Sequence, residues 1–199
     1  ITRHMKPAFV NIGIDPCKAV FDSWINADYP NDLKLGDNFG LINGYFEKVI
    51  WELLEEEKEL SEEDIFIYLD PPYPLDSRKD NRPRYPHEMT DEQHINMLVI
   101  CKLLRCKIAI STYSNKLYRS YLKNWRLLEF QSNTRRGMAT EHLYMNYPEP
   151  TELHDYSYLG ENASEREDIR LRFERFKNKF SKKSALEQSM WRQYLINKI

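Results

Sequence analysis

A chain of 199 residues, 41% hydrophobic and 30% charged, is long enough for one packed domain with an appendage, and its composition excludes wholesale disorder. The net charge of −2 hides an acidic segment at 47–64 and a basic one at 78–84. Three cysteines without C-x-x-C spacing disfavour a disulfide framework or a zinc site, and the absence of a membrane-spanning run or signal peptide leads us to expect a cytoplasmic protein with no membrane partner.

The first 44 residues predict a strand, a helix and a loop. The run FVNIGI at 9–14 is strand-like. A helix is expected over 15–27, with Asp15 as its cap and Pro16 at the first helical position. Residues 29–44 hold three of the six glycines and read as a loop.

An amphipathic helix and a buried strand come next. Apolar residues at helical spacing within 45–60 predict a helix with one buried face. The run DIFIYL at 64–69 is almost continuously apolar, which is typical of an interior strand of a parallel sheet. That strand leads directly into Asp70.

Residues 90–148 predict further alternation of helix and strand. Thr90 and Gln93 form a capping box at the head of a helix that reaches about Cys106. KIAISTY predicts a buried strand, SNKLYRSYLKNW a helix, and two strands flank a turn at Gly137. We therefore expect an α/β domain with a mostly parallel sheet and an antiparallel C-terminal hairpin.

The segment 151–199 changes character after two prolines. Capping boxes at Ser164–Glu167 and Ser184–Glu187 each precede apolar residues at helical spacing. This pattern predicts a C-terminal extension of two amphipathic helices.

The tetrapeptide Asp70-Pro71-Pro72-Tyr73 carries the chemistry. Ligands of parallel α/β sheets collect beyond the carboxyl ends of the strands, where Asp70 falls. A carboxylate and a backbone carbonyl could each accept an N–H of an amino group on a heteroaromatic ring, which would hold that nitrogen and make it more electron-rich. The two prolines stiffen the backbone, and the tyrosine can stack on a base drawn out of a helix.

This motif resembles that of the amino-methyltransferases, and its context narrows the resemblance. The runs FIYLDPPYPLDSRKDNRPRYPHEMTDEQH, AISTYSNKLY and NTRRGMATEHLYMNYPEP are similar to the D12 group of Dam-like adenine-specific DNA methyltransferases. The similarity covers roughly residues 64 to 150. It implies a Rossmann-like S-adenosylmethionine-dependent methyltransferase sheet in a catalytic domain at 1–150, with 1–44 a remnant of a target-recognition region.

The resemblance also implies a role for each residue of the motif. Asp70 would hold the adenine N6 amino group and approach the cofactor, S-adenosylmethionine. Pro71 would offer its carbonyl, Pro72 would fix the turn and Tyr73 would stack on the flipped adenine. The methyl group would pass directly to N6, with no metal and no covalent enzyme intermediate.

One family feature is missing from the sequence. Enzymes of this group carry a glycine-rich cofactor loop, but no G-x-G occurs in this chain. Truncation, a second chain that supplies the loop, or degeneration of a non-catalytic relative would each account for this. The two functional hypotheses are therefore a DNA adenine-N6 methyltransferase and a truncated or non-catalytic nucleic-acid-binding subunit.

Two basic groups are candidates for contacts with DNA phosphates. The first group adjoins the expected base pocket and the second lies at the hairpin tip. Their members are Arg78, Lys79, Arg82 and Arg84, and Arg135 and Arg136. The alternatives are a solvated loop for the first group and charges that serve solubility for the second.

Overall fold

The computed structural model describes residues 10–26, 39–56, 64–78, 82–134, 137–153 and 155–196. Contacts divide the chain into two compact units, with the division between Pro150 and Thr151. The described strands are β1 Asn11–Asp15, β2 Phe39–Asn43, β3 Phe66–Leu69, β4 Lys107–Tyr113, β5 Arg126–Thr134 and β6 Gly137–Met145. The described helices are α1 Lys18–Ile25, α2 Phe46–Glu56, α3 Asp91–Leu103, α4 Lys116–Tyr121, α5 Ala163–Ser181 and α6 Ala185–Ile196.

Four strands form a mixed sheet in the order β3-β4-β6-β5. β3 and β4 are parallel, whereas β6 is antiparallel to both of its neighbours, β4 and β5. Three of these strands therefore run in one direction and only β6 is reversed. The predicted α/β class and C-terminal hairpin are confirmed, and the sheet is mixed because β6 inserts between β4 and β5.

The predictions for the first 44 residues were partly wrong. Residues 39–43, expected in a loop, form β2 and pair in parallel with β1. Helix α1 begins at Lys18, because Asp15 ends β1 and its carboxylate accepts the Cys17 N–H at 2.7 Å. The loop prediction for 29–38 lies outside the described residues.

The hydrophobic core lies on one face of the four-stranded sheet. Strand residues such as Ile108 and Ile110 are fully buried there, against Leu98 of α3 and Tyr118 of α4. The predicted capping box of Thr90 and Gln93 is present at the start of α3, and the Asn115 side chain caps α4. These caps satisfy backbone N–H groups that a helix leaves without intrahelical partners.

The position of β3 differs from the prediction of an interior strand. Within the part of the chain that the structure describes, β3 has a strand neighbour on one side only. Its side chains alternate, with Phe66 54% and Tyr68 40% exposed while Ile67 and Leu69 pack against the core. The apolar run thus forms a strand with one face packed against the core and the other face, with Phe66 and Tyr68, exposed to solvent.

The unit that follows Pro150 holds α5 and α6. Helix α5 begins at Ala163 under an Asn162 cap, two residues earlier than the predicted box at Ser164–Glu167 would place it. The predicted box of α6 is confirmed by reciprocal hydrogen bonds between Ser184 and Glu187. No helix in the described ranges combines the length and apolarity needed to cross a membrane.

Candidate active site

Asp70 directly follows β3, at the carboxyl end of that strand. Strand alternation and the observed register place several polar and aromatic residues on the face opposite the core, here called the site face. The site face includes Tyr68, Ser111, Tyr113, Ser132 and Glu141. Asp70 continues this alternation, so the chain brings its carboxylate to the same face.

Tyr73 connects the motif to the site face. Its hydroxyl lies 3.1 Å from Ser111 Oγ and 3.2 Å from Glu141 Oε2. Its ring meets the Tyr113 ring edge-on, with centroids 4.5 Å apart and an interplanar angle of 74°. Pro71 and Pro72 are half-buried and carry the chain from the strand to this tyrosine. The tetrapeptide therefore follows the end of β3 as an irregular segment that the Tyr73 side chain holds to the sheet.

The environment of Asp70 favours its protonated form more than water does. Asp70 is exposed, yet the surrounding protein raises the pKa of its carboxyl group through desolvation. A hydrogen bond from Tyr73 lowers the pKa and the charge of Glu141 raises it. No ion pair to Asp70 occurs among the described residues, so this carboxylate retains capacity to accept hydrogen bonds from a ligand.

Desolvation is also the largest cause of the raised pKa of the Tyr73 phenol. Hydrogen bonding to Ser111 lowers that pKa, whereas the charges of Asp70 and Glu141 raise it. Tyr73 therefore stays protonated at neutral pH and acts as a hydrogen-bond donor. This state leaves its ring neutral, as stacking on a base requires.

Arg78 was predicted to contact a DNA phosphate, but the structure places its side chain in the protein interior. Its side chain is 3% exposed and forms an ion pair with Glu88, with Nη1–Oε1 and Nη2–Oε2 distances of 2.8 and 2.6 Å. Nη2 also donates to the Tyr73 carbonyl at 2.5 Å. Arg78 thus holds the loop that follows the motif, and its buried guanidinium is not accessible to a phosphate.

The other basic candidates differ in position. Arg82 and Arg84 are exposed beside the Arg78–Glu88 pair, which leaves their side chains accessible to a phosphate. Lys79, Arg135 and Arg136 lie outside the described residues. The candidate DNA surface in the described chain is therefore smaller than the sequence predicted.

The described residues do not form a complete cradle for S-adenosylmethionine. A cradle of the expected kind needs glycines where the backbone approaches the cofactor, and none of the six glycines has G-x-G spacing. At Gly44, which follows β2, an added Cβ would lie 2.8 Å from Val49 Cγ2. The missing side chain there leaves room for the chain's own helix α2, so this glycine gives no evidence of a cofactor site.

Other kinds of site find less support in the described residues. No group of three or more His, Cys, Asp or Glu side chains there could hold a metal ion. A cavity of about 280 Å³ lies between the end of α3 and the α4–β5 connection, next to Cys101, Leu104 and Trp125. Its lining contains none of the predicted site residues.

Sequence reasoning missed the contributions of Glu141 and Ser111. Both lie in runs that were read as strands and as part of the family resemblance, KIAISTY and TEHLYMNYP, but neither residue was given a role. Polar residues alternating with apolar ones in these runs were an available signal, but only the pairing of β4 with β6 brings Ser111 and Glu141 to one tyrosine. Comparisons with known proteins find no matching family model and no matching curated protein.

Proposed function

We propose that this chain carries the catalytic face of a DNA adenine-N6 methyltransferase of the D12 group, with a Rossmann-like sheet. The observation that carries the proposal is the exposed carboxylate of Asp70 at the carboxyl end of β3, beside the tethered Tyr73. An ionised carboxylate accepts an N–H more strongly than a neutral oxygen does. The antiparallel hairpin at the sheet edge agrees with the fold that the sequence resemblance implies.

In this proposal each residue of the motif acts on a flipped adenine. Asp70 accepts one N6–H and the Pro71 carbonyl accepts the other, which directs the nitrogen lone pair out of the ring plane. Pro72 restricts the turn between them, and the Tyr73 ring stacks on the base. Arg82 and Arg84 contact phosphates of the same strand.

S-adenosylmethionine supplies the methyl group in this reaction. Because no G-x-G occurs in this sequence, the glycine-rich loop that would bind the cofactor must come from other polypeptide. A further segment of polypeptide or a second chain could supply it. In the described chain one edge of β3 has no strand partner, so an added strand that carries such a loop has backbone groups to pair with.

Transfer of a tritiated methyl group from S-adenosylmethionine to adenine-containing DNA tests the proposal. In the presence of the segment or second chain that supplies the glycine-rich loop, we expect label at adenine N6 with the wild-type sequence, and at least about a 100-fold loss in Asp70→Ala with unchanged circular dichroism. Transfer by Asp70→Ala at the wild-type rate would refute the assigned role of Asp70.

The missing G-x-G spacing favours a second candidate, a non-catalytic nucleic-acid-binding subunit. Calorimetric titration with S-adenosylmethionine separates the two functions. Saturable binding supports the enzyme. No binding, together with retained affinity for DNA, supports the subunit.

A further inference from the structure

Glu141 is the centre of a hydrogen-bond network that crosses the site face. It lies on β6, opposite Tyr113 of β4 and Phe130 of β5. Its Oε2 accepts the Tyr73 hydroxyl proton at 3.2 Å, and its Oε1 accepts the Ser132 hydroxyl proton at 2.5 Å. Both oxygens of this carboxylate therefore have donors, and the two donors come from different parts of the chain.

The Tyr73 hydroxyl has one proton and lies near two carboxylates. A carboxylate only accepts, so this proton is directed to Glu141, at 3.2 Å, or to Asp70, whose pKa a hydrogen bond with Tyr73 lowers. Ser111, which is 3% exposed, lies 3.1 Å from the phenol oxygen and can donate its own proton to it. The hydroxyl of Tyr73 is held from two strands, β4 and β6.

The backbone of Tyr73 is held independently of its hydroxyl. Its carbonyl accepts the Arg78 N–H described above, and its ring is fixed edge-on against Tyr113. While the Glu141 contact is present, the Tyr73 ring is therefore held at both its hydroxyl and its edge and cannot rotate freely. If that contact is removed, Ser111 and Asp70 remain as hydrogen-bond partners of the phenol.

We propose that Glu141 is a positioning residue that sets the plane of the Tyr73 ring for stacking on the adenine base. The inference rests on the proposed function and deepens it. A ring already held in its bound orientation loses less conformational entropy when a base binds, so affinity is higher than for a ring free to rotate. Glu141 acts through Tyr73 and has no contact with the reacting nitrogen in this account.

Fluorine NMR of protein labelled with 3-fluorotyrosine tests the positioning directly. The Tyr73 resonance is assigned by its absence from Tyr73→Phe. Glu141→Ala should shift it, and Glu141→Gln should shift it less, because the amide oxygen still accepts the phenol proton and the amide N–H₂ can donate to Ser132. The matched control Glu129→Gln changes an acid of β5 that pairs with His142 on the opposite face and should leave the resonance unmoved.

A double-mutant cycle tests the consequence for the base. The probe is a short single-stranded oligonucleotide that contains adenine. Glu141→Ala should weaken its binding three- to tenfold when Tyr73 is present and less than twofold in the Tyr73→Phe background, where there is no hydroxyl to hold. Glu141→Gln should recover most of the affinity.

The two measurements separate the inference from the proposed function. An unmoved Tyr73 resonance in Glu141→Ala, or equal weakening in both backgrounds, would overturn the positioning role. If the wild-type protein has no affinity for the oligonucleotide, the proposed function fails, while the NMR shift still decides whether Glu141 positions Tyr73. If Glu141→Ala does not fold, the shift in Glu141→Gln relative to Glu129→Gln decides it.

Discussion

The ion pair between Arg78 and Glu88 should be a main source of stability for the loop that follows the motif. Glu88 accepts two N–H groups of a guanidinium that is 3% exposed, and it also accepts the backbone N–H groups of Arg84 and Tyr85. The hydrogen bond from Arg78 is the largest cause that lowers the pKa of Glu88 from 4.5 to about 2. Glu88→Gln removes the charge and sets an amide N–H₂ against a guanidinium N–H.

The lowered pKa sets the size of this effect. A shift from 4.5 to about 2 corresponds to about 3 kcal/mol at pH 7. The Glu88 side chain is 18% exposed, so solvent screening reduces the value, and we expect Glu88→Gln to lower the free energy of unfolding by about 2 kcal/mol. Because the pKa is lower in the folded state, the stabilisation is complete above pH 4.5 and is lost as the pH falls towards 2.

Urea unfolding followed by circular dichroism at pH 7 and pH 3 measures both expectations. The matched control is Asp22→Asn, which removes an exposed pair with Lys18 and should cost less than about 0.5 kcal/mol. A loss below about 0.5 kcal/mol for Glu88→Gln at pH 7, or an equal loss at both pH values, would show that the buried pair does not stabilise the loop.

Two further predictions concern the core. Leu98 of α3 is fully buried, so Leu98→Ala should lower the free energy of unfolding by about 2–5 kcal/mol. The control Leu103→Ala, on the same helix but 68% exposed, should lower it by less than about 0.5 kcal/mol. Similar urea midpoints for the two variants would contradict the assignment of Leu98 to the core. Desolvation lowers the pKa of buried His94 from 6.5 to about 4, so the unfolded chain binds more protons between these values and stability should fall as the pH drops from 6.5 to 4. In urea unfolding, His94→Gln should make the free energy of unfolding depend less on pH between 4 and 6.5, whereas the control His87→Gln, at an exposed position, should not. An unchanged pH dependence of the free energy of unfolding in His94→Gln would contradict the account.

Local patterns predicted the parts of the fold that depend on neighbouring residues. The Thr90 box and strand β4 need only a short run of sequence, and both lie where the sequence predicted them. Strand β2 was missed because its glycine suggests a loop, and pairing with β1 provides the backbone hydrogen bonds that decide its structure.

Distant pairing explains what could not be predicted at the site. Arg78 lies in a basic segment of the kind that binds phosphate, so the sequence suggested a contact with DNA. Its burial depends on the ion pair with Glu88, ten residues further along the chain. Glu141 reaches Tyr73 only because β6 inserts beside β4, which a hairpin pattern does not specify. The position of Asp70 at the end of a strand was predictable, since it depends on the local run before it.

The most direct test of the central claim is whether Asp70 and the Pro71 carbonyl recognise the two N–H groups of an exocyclic amine. Affinity is measured for two short single-stranded oligonucleotides that differ only in one base, adenine or N6,N6-dimethyladenine, which has no N–H to donate. The account predicts that the wild-type protein binds the adenine oligonucleotide about tenfold more tightly or more. A tenfold preference corresponds to roughly 1.4 kcal/mol, which is near the lower end of what a hydrogen bond to a charged acceptor contributes. Asp70→Ala should lose this preference. Equal affinity of the wild-type protein for the two oligonucleotides would contradict the account.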